Sequence, residues 1–176
     1  MAPSTSIGPA MGPSSYRWDE KTGSLAASIK HARKEIVMPV IVVTRLRLRD
    51  PPLLDEFFTD AVAAIEQAMK SDGNLGADAL ADANNAWWSV SAWKERRLMQ
   101  AYVDSEPHLG ISTRLDHFCD EATFVDWEQA SPSLPDWQTN WRHLIADGKA
   151  AGLTHPSAAN QTRDFPSPVE PPPSVS

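Results

Sequence analysis

The sequence predicts an α+β domain in which strands and helices follow the order β-α-β-β-α-β, with one more helix at the end. Three observations support this fold class. An alternating β-branched run precedes a run with helical period, a tryptophan-rich run reads as the second strand of a hairpin, and helical and strand-like runs alternate once more before residue 150. This order is the ferredoxin-like arrangement, in which helices cover one face of a single sheet.

The first strand and the first helix have the clearest patterns. Residues alternate from Ile36 to Arg49, so that one face carries Val40, Val42, Thr44, Leu46 and Leu48 and the other carries Ile41, Val43, Arg45, Arg47 and Arg49. Asp50-Pro51-Pro52 then begins a helix from about Leu53 to Ser71, which Asp72-Gly73-Asn74 ends. We expect its buried stripe to consist of Leu54, Phe58, Ala61, Val62, Ile65 and Met69.

The remaining elements complete the order. A weak strand from Leu75 to Ala83 turns at Asn84-Asn85 into the strand Trp87 to Trp93. The later elements are a helix over Lys94 to Ser105, a helical segment over Pro107 to Glu121, a strand over Ala122 to Ala130 and a terminal helix over Pro135 to Gly148. The predicted domain therefore spans residues 36–150, between a flexible N-terminal extension (1–35) and a disordered Pro/Ser-rich tail (151–176).

Composition excludes several classes of protein. The single cysteine, Cys119, excludes an intrachain disulfide and reads as a packing residue, and no run is apolar enough for a signal or a membrane span, which indicates a cytoplasmic protein. Met38 to Thr154 contains 10 Lys and Arg against 18 Asp and Glu, a net charge of −8, which argues against nucleic acid or an anionic membrane as partner. Walker, Rossmann, HExxH and GxSxG motifs are missing from the sequence, which argues against nucleotide, zinc and hydrolase chemistry.

The predicted sheet raises a question of cover. Helices lie on one face only, while the other face holds apolar side chains on every strand. A second copy of the chain is the simplest cover, so we expect a homodimer. The arginines of the first strand, Arg45, Arg47 and Arg49, could bind an anionic ligand there or lie on a solvated strand or dimer rim.

Helical phase separates the five histidines. Within the segment from Pro107 to Glu121, His117 lies opposite the buried stripe of His108, Ile111, Leu115 and Phe118. The rest, His31, His143 and His155, are expected at tail or rim positions. His108 lies in a first helical turn behind Ser105, the predicted N-cap, where the positive helix end and burial favour a neutral imidazole. It could act as a base, as a hydrogen-bond acceptor or as a metal or haem ligand, or it could be a buried histidine that bonds to the backbone.

The tryptophan-rich strand offers a candidate pocket wall. Alternation places Trp87, Ser89, Ser91 and Trp93 on one face and Trp88, Val90 and Ala92 on the other. Small hydroxyl residues between indoles leave space that suits a planar aromatic or polyketide-like ligand. The same tryptophans could instead form core or a dimer interface.

The run from Trp88 to His108 resembles a known family. A strand ending in Trp93 leads through an amphipathic helix, Lys94 to Val103, into the element Ser105-Glu106-Pro107-His108. This pattern is similar to the central segment of the antibiotic-biosynthesis monooxygenase-like proteins of the dimeric α+β barrel superfamily, over roughly Met38 to Ala130. Ser89 stands where that family carries an asparagine, and Tyr102 stands where a histidine is common.

The resemblance implies a homodimer with one pocket per subunit and oxidation of polycyclic aromatics by O₂ without metal or flavin. In that case His108 would position or deprotonate a small hydrophobic substrate, Trp93 and Trp87 would stack on it, and Ser89 or Ser91 would orient an oxygen. Three alternatives use the same segment. They are a cyclase or lyase with His108 and Tyr102 as acid and base, a haem-binding oxygenase with His108 as ligand, and a non-enzymatic ligand-binding dimer.

Overall fold

The computed structural model describes residues 17–19, 24–26, 38–49, 54–82 and 84–169. The chain divides into two units, residues 1–36 and residues 37–176. In the first unit the strands β1 (Arg17–Asp19) and β2 (Ser24–Ala26) pair antiparallel. The prediction of a flexible extension otherwise lies outside the described residues, as does the predicted helix start at Asp50-Pro51-Pro52.

The second unit contains the predicted order of elements. They are β3 (Val40–Leu48), α1 (Leu54–Lys70), β4 (Asn74–Ala81), β5 (Ala86–Trp93), α2 (Arg96–Val103), α3 (His108–Ser112), α4 (Leu115–Phe118), β6 (Cys119–Glu128), α5 (Trp137–Asp147), β7 (Lys149–Ala150) and α6 (Ala158–Thr162). The sheet order is β4-β5-β3-β6-β7, and every neighbouring pair is antiparallel. The α+β, ferredoxin-like fold class is therefore confirmed, with β7 as an added edge strand. No helix in the described part of the chain is long and apolar enough to cross a membrane.

Two predicted turns are present, and each contains a residue that tolerates a positive φ. Gly73, at φ 79°, closes α1 and lets β4 begin at once. Asn85 adopts φ 57° between β4 and β5, a left-handed conformation that asparagine tolerates better than most residues. Asp82 stabilises the same turn, because its Oδ1 accepts hydrogen bonds from the Asn84 and Ala86 amides at 2.7 and 3.1 Å.

The buried stripe of α1 differs from the prediction. Val62 and Met69 are 49% and 56% exposed, so they do not face the sheet. The buried positions are instead Phe57, Ala61, Ala64 and Ala68. Because three of these four side chains are single methyl groups, α1 can approach the sheet closely on this face. Ala61 is thus the one residue of the predicted stripe that is buried, and the prediction missed Phe57, Ala64 and Ala68.

The predicted long helix over 107–121 is also wrong. Two short helices, α3 and α4, replace it, and β6 begins at Cys119 rather than at Ala122. Cys119 pairs with Leu48 at the end of β3, after a register shift next to Arg47. The backbone groups of this stretch therefore find partners in the sheet rather than in a helix.

The C-terminal residues are ordered, contrary to the predicted disordered tail over 151–176, within the part that the structure describes. Residues 158–162 form α6, and Phe165 is only 4% exposed. Together with α5 they pack on the sheet face opposite α1, which holds Ile41, Val43, Trp88 and Val90. The homodimer stays a prediction, but the uncovered sheet face that motivated it is covered by the chain itself.

The arginines of β3 take structural roles that differ from both predicted alternatives. Arg45 is 2% exposed and forms an ion pair with Glu121, which is 1% exposed. The Arg47 guanidinium donates to both carboxylate oxygens of Asp120, at 2.9 and 2.6 Å. Since their charges are already paired within the fold, these two residues do not form an open anion site.

Candidate functional site

A cavity of about 370 Å³ lies between the sheet and the helices α1, α2 and α3, on the face of the sheet that α1 covers. Small-molecule sites typically enclose about 300–1,000 Å³, so this volume suits a small ligand. The polar residues of its lining are Thr44, Ser89, Arg96, Gln100, Tyr102, His108, Ser112 and Asp126. The remaining lining residues are aliphatic or aromatic: Val42, Leu46, Phe57, Ala61, Ala64, Ile65, Trp87, Met99, Val103, Ile111, Leu115 and Phe124.

His108 lines this cavity as the first residue of α3. Its Nδ1 lies 3.2 Å from the carbonyl oxygen of Val103, which can only accept, so Nδ1 carries the proton and donates. Nε2 then bears the lone pair, and the described residues offer it no hydrogen-bond partner. Burial lowers the pKa of His108, while the bond to Val103 and the charge of Asp104 oppose that shift. The imidazole is therefore a neutral base facing an apolar space.

Gln67 of α1 forms hydrogen bonds that hold the backbone around His108. Its Oε1 accepts from the His108 amide at 2.9 Å, and its Nε2 donates to the Ser105 hydroxyl at 2.7 Å. Ser105 does not cap α3 as predicted, since its hydroxyl donates to the Tyr102 carbonyl at 3.0 Å. Sequence reasoning missed Gln67 because it lies 41 residues before His108 and only the fold brings the two together.

Three aromatic side chains stack in series next to the cavity. Tyr102 packs on His108 in a tilted arrangement with ring centroids 4.6 Å apart, and Trp93 stacks on Tyr102 at 5.0 Å. The structure places Trp93 behind Tyr102, fully buried and outside the cavity lining. Ser91 is also outside the lining, and it accepts a 2.9 Å hydrogen bond from the Trp93 indole. Trp93 would therefore act on a ligand only through Tyr102.

The Tyr102 hydroxyl is engaged in the fold. It donates to the carbonyl oxygen of Ala64 at 3.2 Å, which joins α2 to α1. Burial raises the pKa of Tyr102 well above its usual value, because the phenolate would lose its hydration. Tyr102 is thus a wall of the cavity and a support for His108 rather than a ready proton donor.

The floor of the cavity consists of strand residues. Ser89 lies directly opposite Thr44 in the β3–β5 register, and both line the cavity. Within the described residues neither hydroxyl has a hydrogen-bond partner, so both remain available to an oxygen or nitrogen of a ligand. Trp87 closes one end of the floor and makes an edge contact with Phe58, at a centroid distance of 5.2 Å. Sequence reasoning placed Thr44 on this face but did not select it, although its register opposite Ser89 was the available signal.

An ion pair marks the opening of the cavity. Arg96 and Asp126 form a 2.6 Å salt bridge between α2 and β6, with side chains 51% and 27% exposed. Phe124 next to them is 41% exposed. The opening therefore carries paired charges of both signs and an aromatic edge. Local sequence patterns contain no signal for this pair, because its two residues belong to separate elements.

The other titratable candidates lie away from the cavity. His117 has a side chain 54% exposed, as helical phase predicted, and His143 stacks on Trp127 at 3.8 Å. Cys119 is fully buried, and burial raises the pKa of its thiol to about 12, in agreement with a packing role. Among the described residues, no three His, Cys, Asp or Glu side chains lie together as a metal ligand set.

Comparisons with known proteins give matches at the level of structure. Neither a family model nor a curated protein sequence matches this chain. Similar solved structures include a protein from Nitrosomonas europaea provisionally assigned as an antibiotic biosynthesis monooxygenase, at 16% identity and a TM-score of 0.49 over 55% of this chain and 94% of that one. A cofactor-independent oxygenase from Streptomyces nogalater is similar at 17% identity and a TM-score of 0.44, over 56% of this chain and 99% of that one.

A conserved protein from Methanosarcina mazei is similar at 16% identity and a TM-score of 0.48, over 53% of this chain and 95% of that one. One of these similar structures, the protein from Nitrosomonas europaea, is provisionally assigned to the group that the Trp88 to His108 segment resembles. Each of these proteins matches over nearly its whole length, whereas little more than half of this chain takes part.

Proposed function

We propose that the protein is a monooxygenase-like enzyme that acts on a small hydrophobic, aromatic or polyketide-like substrate without a metal or flavin. One observation carries the proposal: a neutral His108 with a free Nε2 lines a cavity whose walls are mostly apolar. A space filled by tryptophan side chains would have favoured a purely structural role. The cavity is open instead, and Trp87 forms part of its wall.

The proposed reaction begins with proton transfer. His108 Nε2 takes a proton from an activated methylene of the substrate, and the resulting carbanion passes one electron to O₂, giving a substrate radical and superoxide. Their recombination forms a C–O bond and a peroxide anion, and the imidazolium returns the proton to that anion to give a hydroperoxide. Loss of water then breaks the O–O bond and leaves a carbonyl. The balance is R₂CH₂ + O₂ → R₂C=O + H₂O, with the substrate as the only reductant.

The arrangement of the cavity suits these steps. The low polarity around His108 keeps the imidazole uncharged, because a charged group in this cavity is less well solvated than in water. The hydroxyls of Ser89 and Thr44 lie on the floor, where they can donate to a developing enolate oxygen. Both hydroxyls can act this way because neither is committed within the described part of the fold.

The acid–base alternative is less well supported in its predicted form. A cyclase or lyase using His108 and Tyr102 as a pair needs the Tyr102 phenol to release and regain a proton. Its hydroxyl is held by the Ala64 carbonyl, and its pKa is raised. Proton transfer by His108 alone remains an outcome that the experiment can detect.

The test uses electron-rich tricyclic ketones and phenols with an activated methylene, and it measures O₂ consumption and product mass. Wild-type protein should consume O₂ with incorporation of one ¹⁸O atom per turnover. His108→Gln should lower the rate by about 10²–10⁴-fold, the usual contribution of a general base. His117→Gln is the matched control, because its exposed ring lies outside the cavity lining, and it should retain full activity.

Four results would count against the proposal. Equal turnover in anaerobic buffer would favour proton-transfer chemistry, and a Soret band that shifts on haem titration and disappears in His108→Gln would favour haem ligation. Ligand binding that quenches tryptophan fluorescence without any turnover of the panel would favour a binding protein. Unchanged turnover in His108→Gln, with substrate still bound, would remove His108 from the mechanism.

A further inference from the structure

The sheet face opposite α1 is covered by the last part of the described chain. We call residues 135–169 the C-terminal segment. Strand alternation sends Ile41, Val43, Trp88 and Val90 to this face, where each is at most 2% exposed. In a sheet with helices on one side only, these side chains would face water.

The first half of the C-terminal segment supplies an apolar layer. Leu144 of α5 is fully buried in the same cluster as Ile41 and Val43. Trp137, Trp141 and Ile145 pack around it as partly buried residues. Asp136 caps the helix, since its carboxylate accepts from the Thr139 amide at 2.6 Å. The layer is thus an independently capped amphipathic helix laid on the sheet.

The second half of the segment is held by Phe165. Its ring lies 4.2 Å from the Arg45 guanidinium carbon and 6.2 Å from the Trp88 ring, in an edge arrangement. Its carbonyl oxygen accepts from the Trp141 indole at 3.1 Å. Phe165 therefore joins the end of the segment both to the sheet and to α5.

Polar contacts fix the position of α6 on β6. Asn160, 2% exposed, accepts a 2.8 Å hydrogen bond from the Ala122 amide. The Ser157 hydroxyl donates to Glu121 at 2.8 Å, and the Ser157 amide donates to the Asp120 carbonyl at 2.8 Å. These bonds specify a position along β6, which an apolar contact alone would not do.

We infer that the C-terminal segment occupies the place of a second copy, and that the chain is a monomer. A standard interface buries about 800 Å² per partner. On this face the apolar side chains are already buried within the chain, so a second copy would find little left to cover. The cavity does not depend on this cover, because every residue of its lining lies between Val42 and Asp126 and none belongs to the C-terminal segment.

The first test is the mass of the intact protein by sedimentation velocity across micromolar concentrations. The expected mass is that of the monomer, 19.3 kDa, at every concentration. A stable species of twice that mass would overturn the inference.

The second test loosens the segment in the full chain. Phe165→Glu should expose the sheet face and produce concentration-dependent association together with binding of an apolar dye. Val169→Glu is the matched control, because Val169 is 54% exposed and belongs to the same segment. If Phe165→Glu stayed monomeric and bound no more dye than the control, the segment would not be the cover.

A milder change keeps the inference testable if Phe165→Glu fails to fold. Amide exchange at Ala122 should be slow in the wild type and at least tenfold faster in Asn160→Ala, because the Asn160 side chain is the acceptor of this amide. Fast exchange at Ala122 in the wild type would show that α6 does not lie on β6 in solution. Failure of these tests would leave the role of His108 untouched, since none of the three altered residues lines the cavity.

Discussion

Replacing Glu121 with glutamine should destabilise the protein more than any surface ion-pair change, because Glu121 neutralises a buried arginine. Its carboxylate accepts from Arg45 and from Ser157, and its Oε1 lies 2.9 Å from the Arg47 guanidinium. Arg45 and Glu121 have side chains only 2% exposed, and the Arg45 Nε has no partner in the described residues even in the wild type. The charge of Arg45 would therefore remain in a dry site without compensation.

The expected cost follows from that burial. Removing one partner of a buried pair typically costs about 3–5 kcal/mol, against about 0–1 kcal/mol for exposed pairs. For a chain of 176 residues this loss corresponds to a melting temperature lower by roughly 10 °C. Unfolding in urea, followed by tryptophan fluorescence and linear extrapolation, measures the free energy of unfolding directly.

A second variant separates the pair from its surroundings. Arg45→Met with Glu121→Leu removes both charges and leaves apolar groups beside Trp88 and Phe165. We expect it to recover most of the lost stability, since apolar replacement of a whole buried pair is often neutral or favourable. Arg97→Ala, which breaks an exposed 3.4 Å pair with Glu95, should have no measurable effect. A cost below about 1 kcal/mol for Glu121→Gln would show that water reaches Arg45 and would refute the reasoning.

Three further predictions concern the site and its support. Burial lowers the pKa of His108, so below pH 6.5 the unfolded chain binds a proton that folded His108 does not. The free energy of unfolding should therefore decrease as the pH is lowered below 6.5, and His108→Gln should reduce that decrease in urea titrations. Gln67→Leu should let both His108 tautomers appear in ¹⁵N ring spectra, whereas Gln67→Glu keeps the acceptor and should preserve the Nδ1–H form. Identical spectra for the two variants would exclude a positioning role for Gln67. Gly73→Ala should cost about 1–2 kcal/mol in urea unfolding, because of φ 79° and a Cβ only 2.3 Å from Leu98 Cδ1, and a neutral result would contradict the clash.

Local pattern predicted those parts of the fold in which neighbours in sequence determine the structure. Alternation assigned the two faces of β3 correctly, and Asn84-Asn85 marked the hairpin. Helical phase distinguished His108 from the exposed His117 even though the predicted helix is divided into two. Each of these features depends on residues a few positions apart, which a sequence displays directly.

Long-range contacts decided the rest. Proline and serine content suggested a disordered tail, whereas two anchors without local periodicity, Asn160 and Phe165, order it through bonds to β6 and contacts with β3. The predicted site was incomplete for the same reason. Gln67 accepts from the His108 amide, and the two residues are 41 positions apart, so no local pattern connects them.

The cavity and the C-terminal cover use opposite faces of the same strands. On β3, Thr44 lies on the cavity floor while the adjacent Arg45 points to Phe165. On β6, Phe124 lines the cavity, while the Glu121 side chain and the Ala122 backbone amide bond to Ser157 and Asn160. Alternation separates the two sets of side chains by one residue, so stability can be altered on the covered face without entering the cavity. If Glu121→Gln lowered stability and left ligand affinity unchanged, this separation would hold. A parallel loss of affinity in the folded protein would show that the Arg45–Glu121 pair also shapes the floor beneath the ligand.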